Sequence, residues 1–162
     1  PERIVHNDTK LNNLLFDAQG DEAICVVDLD TIMPGLVHYD FGDMVRTATN
    51  LAPEDEPNTE AVQVSDEIFS QLAQGYLEGG RNFLTDAEVE QLVFSGILMT
   101  VEVAIRFLTD HLDGDHYFKI HHPGHNLQRA RAQLALVARL EERQSAWETL
   151  VQTQWAALRP NR

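Results

Sequence analysis

Apolar residues recur with two different periods along this chain, and the switch between them divides it. Up to Asp28 they come as short runs, RIV at 3–5, NLLF at 13–16 and AICVV at 23–27, the last two separated by the turn-forming AQGD at 18–21. Short β-rich runs broken by turn residues predict a small β region. Beyond Pro34-Gly35 the spacing becomes helical, beginning with YDFGDMVRTATNL at 39–51. An acidic, turn-rich link, APEDEPNTE at 52–60, precedes a second helix that opens on Ser65 and closes on the paired glycines Gly79 and Gly80. Thr85 with Glu88 forms a capping-box pattern for a third helix, whose stripe is Val89, Leu92, Val93, Ile97, Val101, Ala104, Ile105 and Leu108. Asn126 is placed to cap a long last helix carrying Leu127, Leu134, Val137, Trp147, Leu150, Val151 and Trp155. The expected fold class is mainly α (α+β): a β-hairpin region resting on four or so helices, with residues 1–162 as a single domain.

Composition narrows the partners. The formal net charge is -14, which repels a phosphate backbone or an anionic bilayer at long range, so neither nucleic acid nor membrane is an expected partner. The apolar stretches are interrupted before the roughly 20 residues of a membrane span, and no basic-plus-apolar leader opens the chain. The lone Cys25 offers neither a disulfide framework nor a CxxC metal spacing and suits a reducing, cytoplasmic setting.

Candidate chemistry concentrates in the first forty residues. His6-Asn7-Asp8-Thr9-Lys10-Leu11-Asn12-Asn13 carries the spacing H-x-D-x-x-x-x-N, in which a kinase aspartate receives the substrate hydroxyl's proton and the asparagine holds magnesium. Fifteen residues after Asn13 an apolar strand delivers Asp28, followed by Leu29 and Asp30. A carboxylate at a buried strand end needs a partner, and Mg2+ accepts hard oxygen ligands such as Asn13 and Asp28 while leaving positions for ATP phosphates. Lys10 can then offset charge on the transferring phosphoryl group. Taken singly, His6 reads as a bonded core histidine, Asp8 and Asn13 as turn residues and Asp28 as a strand-end cap. The ordered set points to phosphoryl transfer.

HNDTKLNN followed by VVDLD resembles the phosphotransferase motif and metal-binding aspartate of the aminoglycoside phosphotransferase, choline kinase and homoserine kinase group. DLDTIMPGLVHYDFGDMVR and RFLTDHLDGDHYFK are similar, more narrowly, to N-acetylhexosamine 1-kinases. The resemblance implies a protein-kinase-like fold of which this chain supplies the C-terminal lobe. It also implies ATP and Mg2+ as co-substrate and cofactor, and the anomeric hydroxyl of an N-acetylhexosamine as acceptor. It assigns Asp8 as catalytic base, Asn13 and Asp28 as magnesium ligands, Arg106, Tyr117 and Asp30 to the sugar, and His6 and Asp40 to support of the loop. Arg106 interrupts the apolar run VAIRFL, where an ion pair with Glu102 one turn earlier is the plainer explanation. Tyr117 is equally a loop anchor.

Asn7 stands where many antibiotic kinases have Gly and protein kinases have Arg. No Gly-rich loop, strand lysine or paired glutamate precedes His6, so the expectation is that the ATP-binding N-terminal lobe is missing and the isolated chain is nearly inactive. Three other readings compete with the sugar kinase, besides a kinase for an aminoglycoside, choline or homoserine-type acceptor. A metal-dependent hydrolase draws on HLDGDHYFKIHHPGH, with five of the seven histidines, although HExxH is lacking. A sulfatase wants a C/S-x-P-x-R context, which Cys25-Val26-Val27 does not supply. A non-catalytic module on the same scaffold would be free to lose Asp8, Asn13 and Asp28.

Overall fold

The computed structural model describes residues 1–20 and 22–159, leaving Asp21 of the turn AQGD outside the described residues. Four short strands lead into five helices. β1 (Arg3–Val5) pairs antiparallel with β4 (Met33–Gly35), and β2 (Leu14–Phe16) pairs antiparallel with β3 (Ala23–Val26). The helices are α1 (Val37–Ala48), α2 (Asp66–Gly80), α3 (Asp86–Glu90), α4 (Leu92–Asp113) and α5 (His125–Leu158). The molecule is therefore mostly helical with small antiparallel sheets, in keeping with the expected class.

The β region departs from the expectation in two ways. β4 escapes a sequence reading because Pro34 sits in its middle, a residue tolerated only where a ladder N–H is not needed. β3 is not a buried strand: all four residues are exposed, Ile24 at 64% and Val26 at 49%. A two-stranded hairpin has no second layer, so the argument that a buried strand end forces Asp28 to find a partner does not hold.

The core lies among the helices. Phe41, Val45, Phe69, Ala73, Leu77, Leu92, Val93, Leu136, Leu140, Trp147 and Val151 form one buried cluster. Phe69 stacks on Trp147 with centroids 3.8 Å apart, and the indole N–H donates to Asp66 at 2.7 Å. α1 and α4 cross closely because small residues face each other: a Cβ on Gly42 would lie 2.4 Å from the Ser95 carbonyl oxygen, and one on Gly96 2.7 Å from Val45 Cγ1. This crossing fixes α1, and α1 in turn holds the loop that follows β1.

Helix boundaries correct several expectations. Ser65 caps α2 through the Ile68 N–H, but Gly79 and Gly80 lie inside its last turn, where a Cβ on Gly80 would meet Leu84 at 2.4 Å. The capping box at Thr85 and Glu88 is present, yet the third helix is two pieces broken at Gln91. Its stripe also rotates: Ile105 and Leu108 are exposed, while Thr100, Ala104, Phe107 and Asp110 face inward. With 22 residues and mean hydropathy 1.8, α4 is long and apolar enough to cross a membrane, contrary to the sequence reading. Here it packs Leu92, Val93 and Ile97 into the shared core. Gly124, not Asn126, precedes α5, and Leu134 is exposed. Asn126 is wholly buried because its amide is engaged by two carboxylates, Asp110 and Asp115, at 2.8 Å each.

Candidate active site

The segment from His6 to Asn13 leaves β1 and is held almost entirely by α1 and the 27–31 stretch. The Asp40 carboxylate accepts the backbone N–H of His6, at 3.1 and 2.9 Å to its two oxygens, and that of Asn7 at 2.7 Å. Thr9 Oγ1 donates to the Asp40 carbonyl at 2.7 Å. Asn7 adopts a left-handed backbone with φ 63°. Asn and Gly suit that region best, which gives Asn7 a physical reason to stand between His6 and Asp8. Its amide also ties the loop to the Thr31 carbonyl at 3.1 Å, and Thr31 Oγ1 donates to the His6 carbonyl at 2.6 Å.

His6 Nε2 lies 3.1 Å from the Val27 carbonyl. A carbonyl only accepts, so Nε2 carries a proton and donates it to this bond. Its Nδ1 is buried and unpartnered. The Val27 N–H returns to the Asn13 carbonyl at 2.9 Å, so the two ends of the loop are pinned to the same short stretch.

Asp8 is the focus of this scaffold. Its Oδ2 accepts from Lys10 Nζ and from Asn13 Nδ2, both at 2.8 Å, while Oδ1 accepts nothing among the described residues. Burial alone would push the Asp8 carboxyl up; hydrogen bonds from Lys10 and Asn13, with the Lys10 charge, more than offset this and hold its pKa below the usual value. Lys10 moves the other way: the bond to Asp8 raises its pKa against partial burial, with Asp28 and Asp43 adding to the rise. Asn13 is buried and spends its side-chain NH2 on Asp8, leaving its side-chain Oδ1 without a partner among the described residues. Asp28 is exposed, in a left-handed backbone with φ 64°, and its carboxylate has no hydrogen bond or ion pair among the described residues. Two non-glycine residues with positive φ flank one loop, at a cost of about 1 kcal/mol or more each, which is the kind of strain found at functional sites. Asp30 is exposed nearby in the chain and is likewise unbonded.

A pocket of about 300 Å3 opens beside Asp8, lined by His6, Lys10, Asn13, Leu14, Val26 and Met44. Arg106 and Tyr117 do not line it. They share a separate pocket of about 400 Å3 with Thr109, Asp110, Asp113 and Phe118. There Arg106 makes the Glu102 pair at 3.6 Å, both side chains half-exposed, and its guanidinium lies 5.9 Å from the Tyr117 ring centroid. The expected ion pair with Glu102 is therefore present, and Arg106 also lines this pocket.

Sequence reasoning missed Asp110, which carries the Tyr117 turn. Its buried carboxylate accepts the N–H groups of His116, Tyr117 and Phe118 at 2.9, 2.8 and 2.9 Å. Burial pushes its pKa up, and these three donors more than reverse that. No local pattern marks such a residue, because its partners are backbone groups six to eight positions on. Asp43 and Arg46 were also missed, although their i, i+3 spacing on α1 was a visible signal.

The histidine-rich segment at 111–125 forms no metal cage: among the described residues no three His, Cys, Asp or Glu side chains converge. Its one buried member, His125, donates from Nε2 to Asp55 at 2.9 Å and accepts the His121 N–H on Nδ1 at 3.3 Å. Both ring nitrogens are spent on structure, so the ligand set that a hydrolase reading needs is not assembled.

Residues 1–82, which include every residue of the Asp8 cluster, match the family model described as APH, phosphotransferase enzyme family.

Proposed function

Because the chain belongs to the phosphotransferase enzyme family, we propose that it provides the catalytic and acceptor-binding part of an ATP- and Mg2+-dependent kinase acting on the anomeric hydroxyl of an N-acetylhexosamine. Membership makes it a kinase-type enzyme transferring phosphate to a small molecule. The observation that carries the reading is the Asp8 carboxylate, fixed on one oxygen by Lys10 and Asn13 and open on the other.

On this reading each group has a distinct task. Asp8 Oδ1 accepts a hydrogen bond from the acceptor hydroxyl, aims its oxygen at the γ-phosphorus, and takes the proton as the new O–P bond forms and the bond to the leaving ADP oxygen breaks. In a loose phosphoryl-transfer transition state the hydroxyl loses its proton late, so positioning matters more than basicity and a carboxylate with a lowered pKa suffices. Lys10, held cationic by Asp8, is placed to offset charge on the phosphoryl oxygens. The residues fit a magnesium ion: the unpartnered Asn13 side-chain Oδ1 and the unpartnered Asp28 carboxylate are hard donors, too few for a closed cage, as Mg2+ prefers when it keeps waters and phosphate ligands. Bound there, it would neutralise the nucleotide phosphates.

Support for an amino sugar comes from the resemblance over RFLTDHLDGDHYFK and from the pairing of an aromatic ring with a guanidinium at Tyr117 and Arg106. We further read the chain as the C-terminal lobe of a kinase-like fold, since its first 36 residues carry the loop and hairpin and the rest is helical. The test is phosphorylation by the intact protein with Mg-ATP. N-acetylglucosamine or N-acetylgalactosamine should be consumed to a 1-phosphate, and the 1-O-methyl glycosides should be inert. Phosphorylated methyl glycosides would reject the anomeric position; turnover of an aminoglycoside, choline or homoserine instead would reject the sugar.

Lys10→Met separates the two charges. It removes the bond and the charge that lower the Asp8 pKa while leaving the burial that raises it. The acid limb of the kcat/KM profile should therefore move to higher pH in the variant. An acid limb that stays in place would mean that Asp8 is not the group it reports.

A further inference from the structure

Asp28 stands on a stretch that neither sheet holds. The β2–β3 ladder ends at the pair Leu14 and Val26, and the β1–β4 ladder ends at Val5 and Met33, so residues 27–32 lie between the two. The Asp28 carboxylate is exposed and unbonded among the described residues, and its backbone is left-handed. Its position is therefore set through its neighbours in the chain. Resting on the reading of Asp8 as base and of Asn13 with Asp28 as magnesium ligands, we propose that Asn7 and Thr31 are positioning residues. They form a reciprocal side-chain clamp that sets where Asp28 stands relative to Asp8 and Asn13.

The strand register shows what the clamp replaces. Continuing the pairing of Val5 with Met33 by two residues sets Asn7 opposite Thr31. An antiparallel ladder would join the two segments there through backbone N–H and carbonyl groups. Instead the backbone N–H groups of His6 and Asn7 turn to the Asp40 carboxylate, at 2.9 and 2.7 Å, with Asn7 in its left-handed conformation. Spent on α1, they cannot also serve the ladder. Side chains take over: Asn7 Nδ2 donates to the Thr31 carbonyl at 3.1 Å, and Thr31 Oγ1 donates to the His6 carbonyl at 2.6 Å.

These two bonds complete a bracket around Asp28. On its N-terminal side Val27 is tied to both ends of the loop, accepting from His6 Nε2 at 3.1 Å and donating to the Asn13 carbonyl at 2.9 Å. On its C-terminal side the tie is the pair of Thr31 bonds. With Val27 alone the arm could pivot at Asp28; with Thr31 held as well, both flanks are fixed to the loop that carries Asp8 and Asn13. The residue types follow from this. Asn tolerates the φ of 63° at position 7 and carries a donor, whereas Gly would keep the turn without the donor and Asp would set an acceptor against a carbonyl. At position 31 the hydroxyl is the second donor, which Ser would also supply and Val would not.

In the intact protein, Thr31→Val keeps the side-chain shape and removes the hydroxyl, and Asn7→Gly keeps the left-handed turn and removes the amide. Electron paramagnetic resonance of Mn2+ titrated in the presence of ADP should show metal binding weakened about tenfold in each, the equivalent of roughly one hydrogen bond. The KM for Mg2+ should rise by a similar factor, while acceptor KM and melting temperature change little. The double variant should be little worse than either single one, because the two bonds act as a unit. Thr31→Ser should restore metal binding. Asp28→Asn, which suits the left-handed backbone, is the reference. Metal binding weakened in Asp28→Asn but unchanged in Thr31→Val and Asn7→Gly would overturn the clamp and leave the metal reading standing; metal binding unchanged in all three would overturn both. Equal losses in metal binding and acceptor KM would mark a general loosening of the loop and reject the clamp, as would a Thr31→Ser variant no better than Thr31→Val.

Discussion

Asp8→Asn in the intact protein should lower kcat for the sugar by about a thousandfold, within the roughly 10²–10⁴ that a positioned general base contributes. The replacement is close to isosteric. Asn still accepts from Lys10 and Asn13 through one oxygen, so the loop pinned by Asp40 and Thr31 keeps its shape. On the proposed reading, what disappears is the open anionic oxygen that would orient the hydroxyl and receive its proton. The Lys10 ion pair is also lost, but with side chains 40% and 27% exposed it contributes no more than about 1 kcal/mol. Melting temperature and ATP affinity should therefore change little while turnover collapses. A variant that retains kcat within a few-fold would place the acceptor hydroxyl elsewhere, and the hydroxyl-bearing molecule at Asp8 would have to be sought again.

Much of this site was legible before any coordinates, and the reason is local. The spacing from His6 to Asn13 compresses a carboxylate, a cation and an amide into eight residues, so their proximity follows from chain length alone. Asp40 is more distant, and its role became concrete only because α1 places its carboxylate against two consecutive N–H groups. The helices were legible through their period, but their exact faces were not. Ile105 fits the stripe by spacing and yet is 58% exposed, since the crossing of α1 over Gly96 sets the rotation of α4. Polar residues that serve distant backbone left no trace in the sequence. Asn126 reads as a helix cap and Asp110 carries no local signal, whereas the two form a buried hub for the turn carrying Tyr117.

Glu88→Ala should lower stability clearly, because it removes one carboxylate that four donors from Arg3 and Thr85 share. The Glu88 side chain is 4% exposed, and every strong donor near it converges on its two oxygens. Arg3 donates Nε at 2.7 Å and Nη2 at 2.9 Å; Thr85 donates its N–H and its hydroxyl at 2.8 Å each. Chiefly through Arg3, its pKa is lowered from an ordinary 4.5 to about 2. A lowered carboxyl pKa means stability that is fully present above about 4.5 and lost as pH falls toward about 2. Glu88→Gln should thus be clearly weaker than wild type in denaturant titrations at pH 7, with the gap narrowing through pH 4 to 3. A gap that is constant with pH would show that the charge of Glu88 contributes nothing and that only its shape matters. The consequence reaches the site through the chain itself. Arg3 begins β1, and β1 ends one residue before His6. The His38 ring, on the helix that presents Asp40, also donates to the Glu88 carbonyl at 2.9 Å. Releasing Arg3 loosens the strand that feeds the Asp8 loop, so Glu88→Gln should lose part of its turnover at temperatures well below its own midpoint, whereas a core truncation such as Val151→Ala, which leaves the Arg3–Glu88 pair in place, should not.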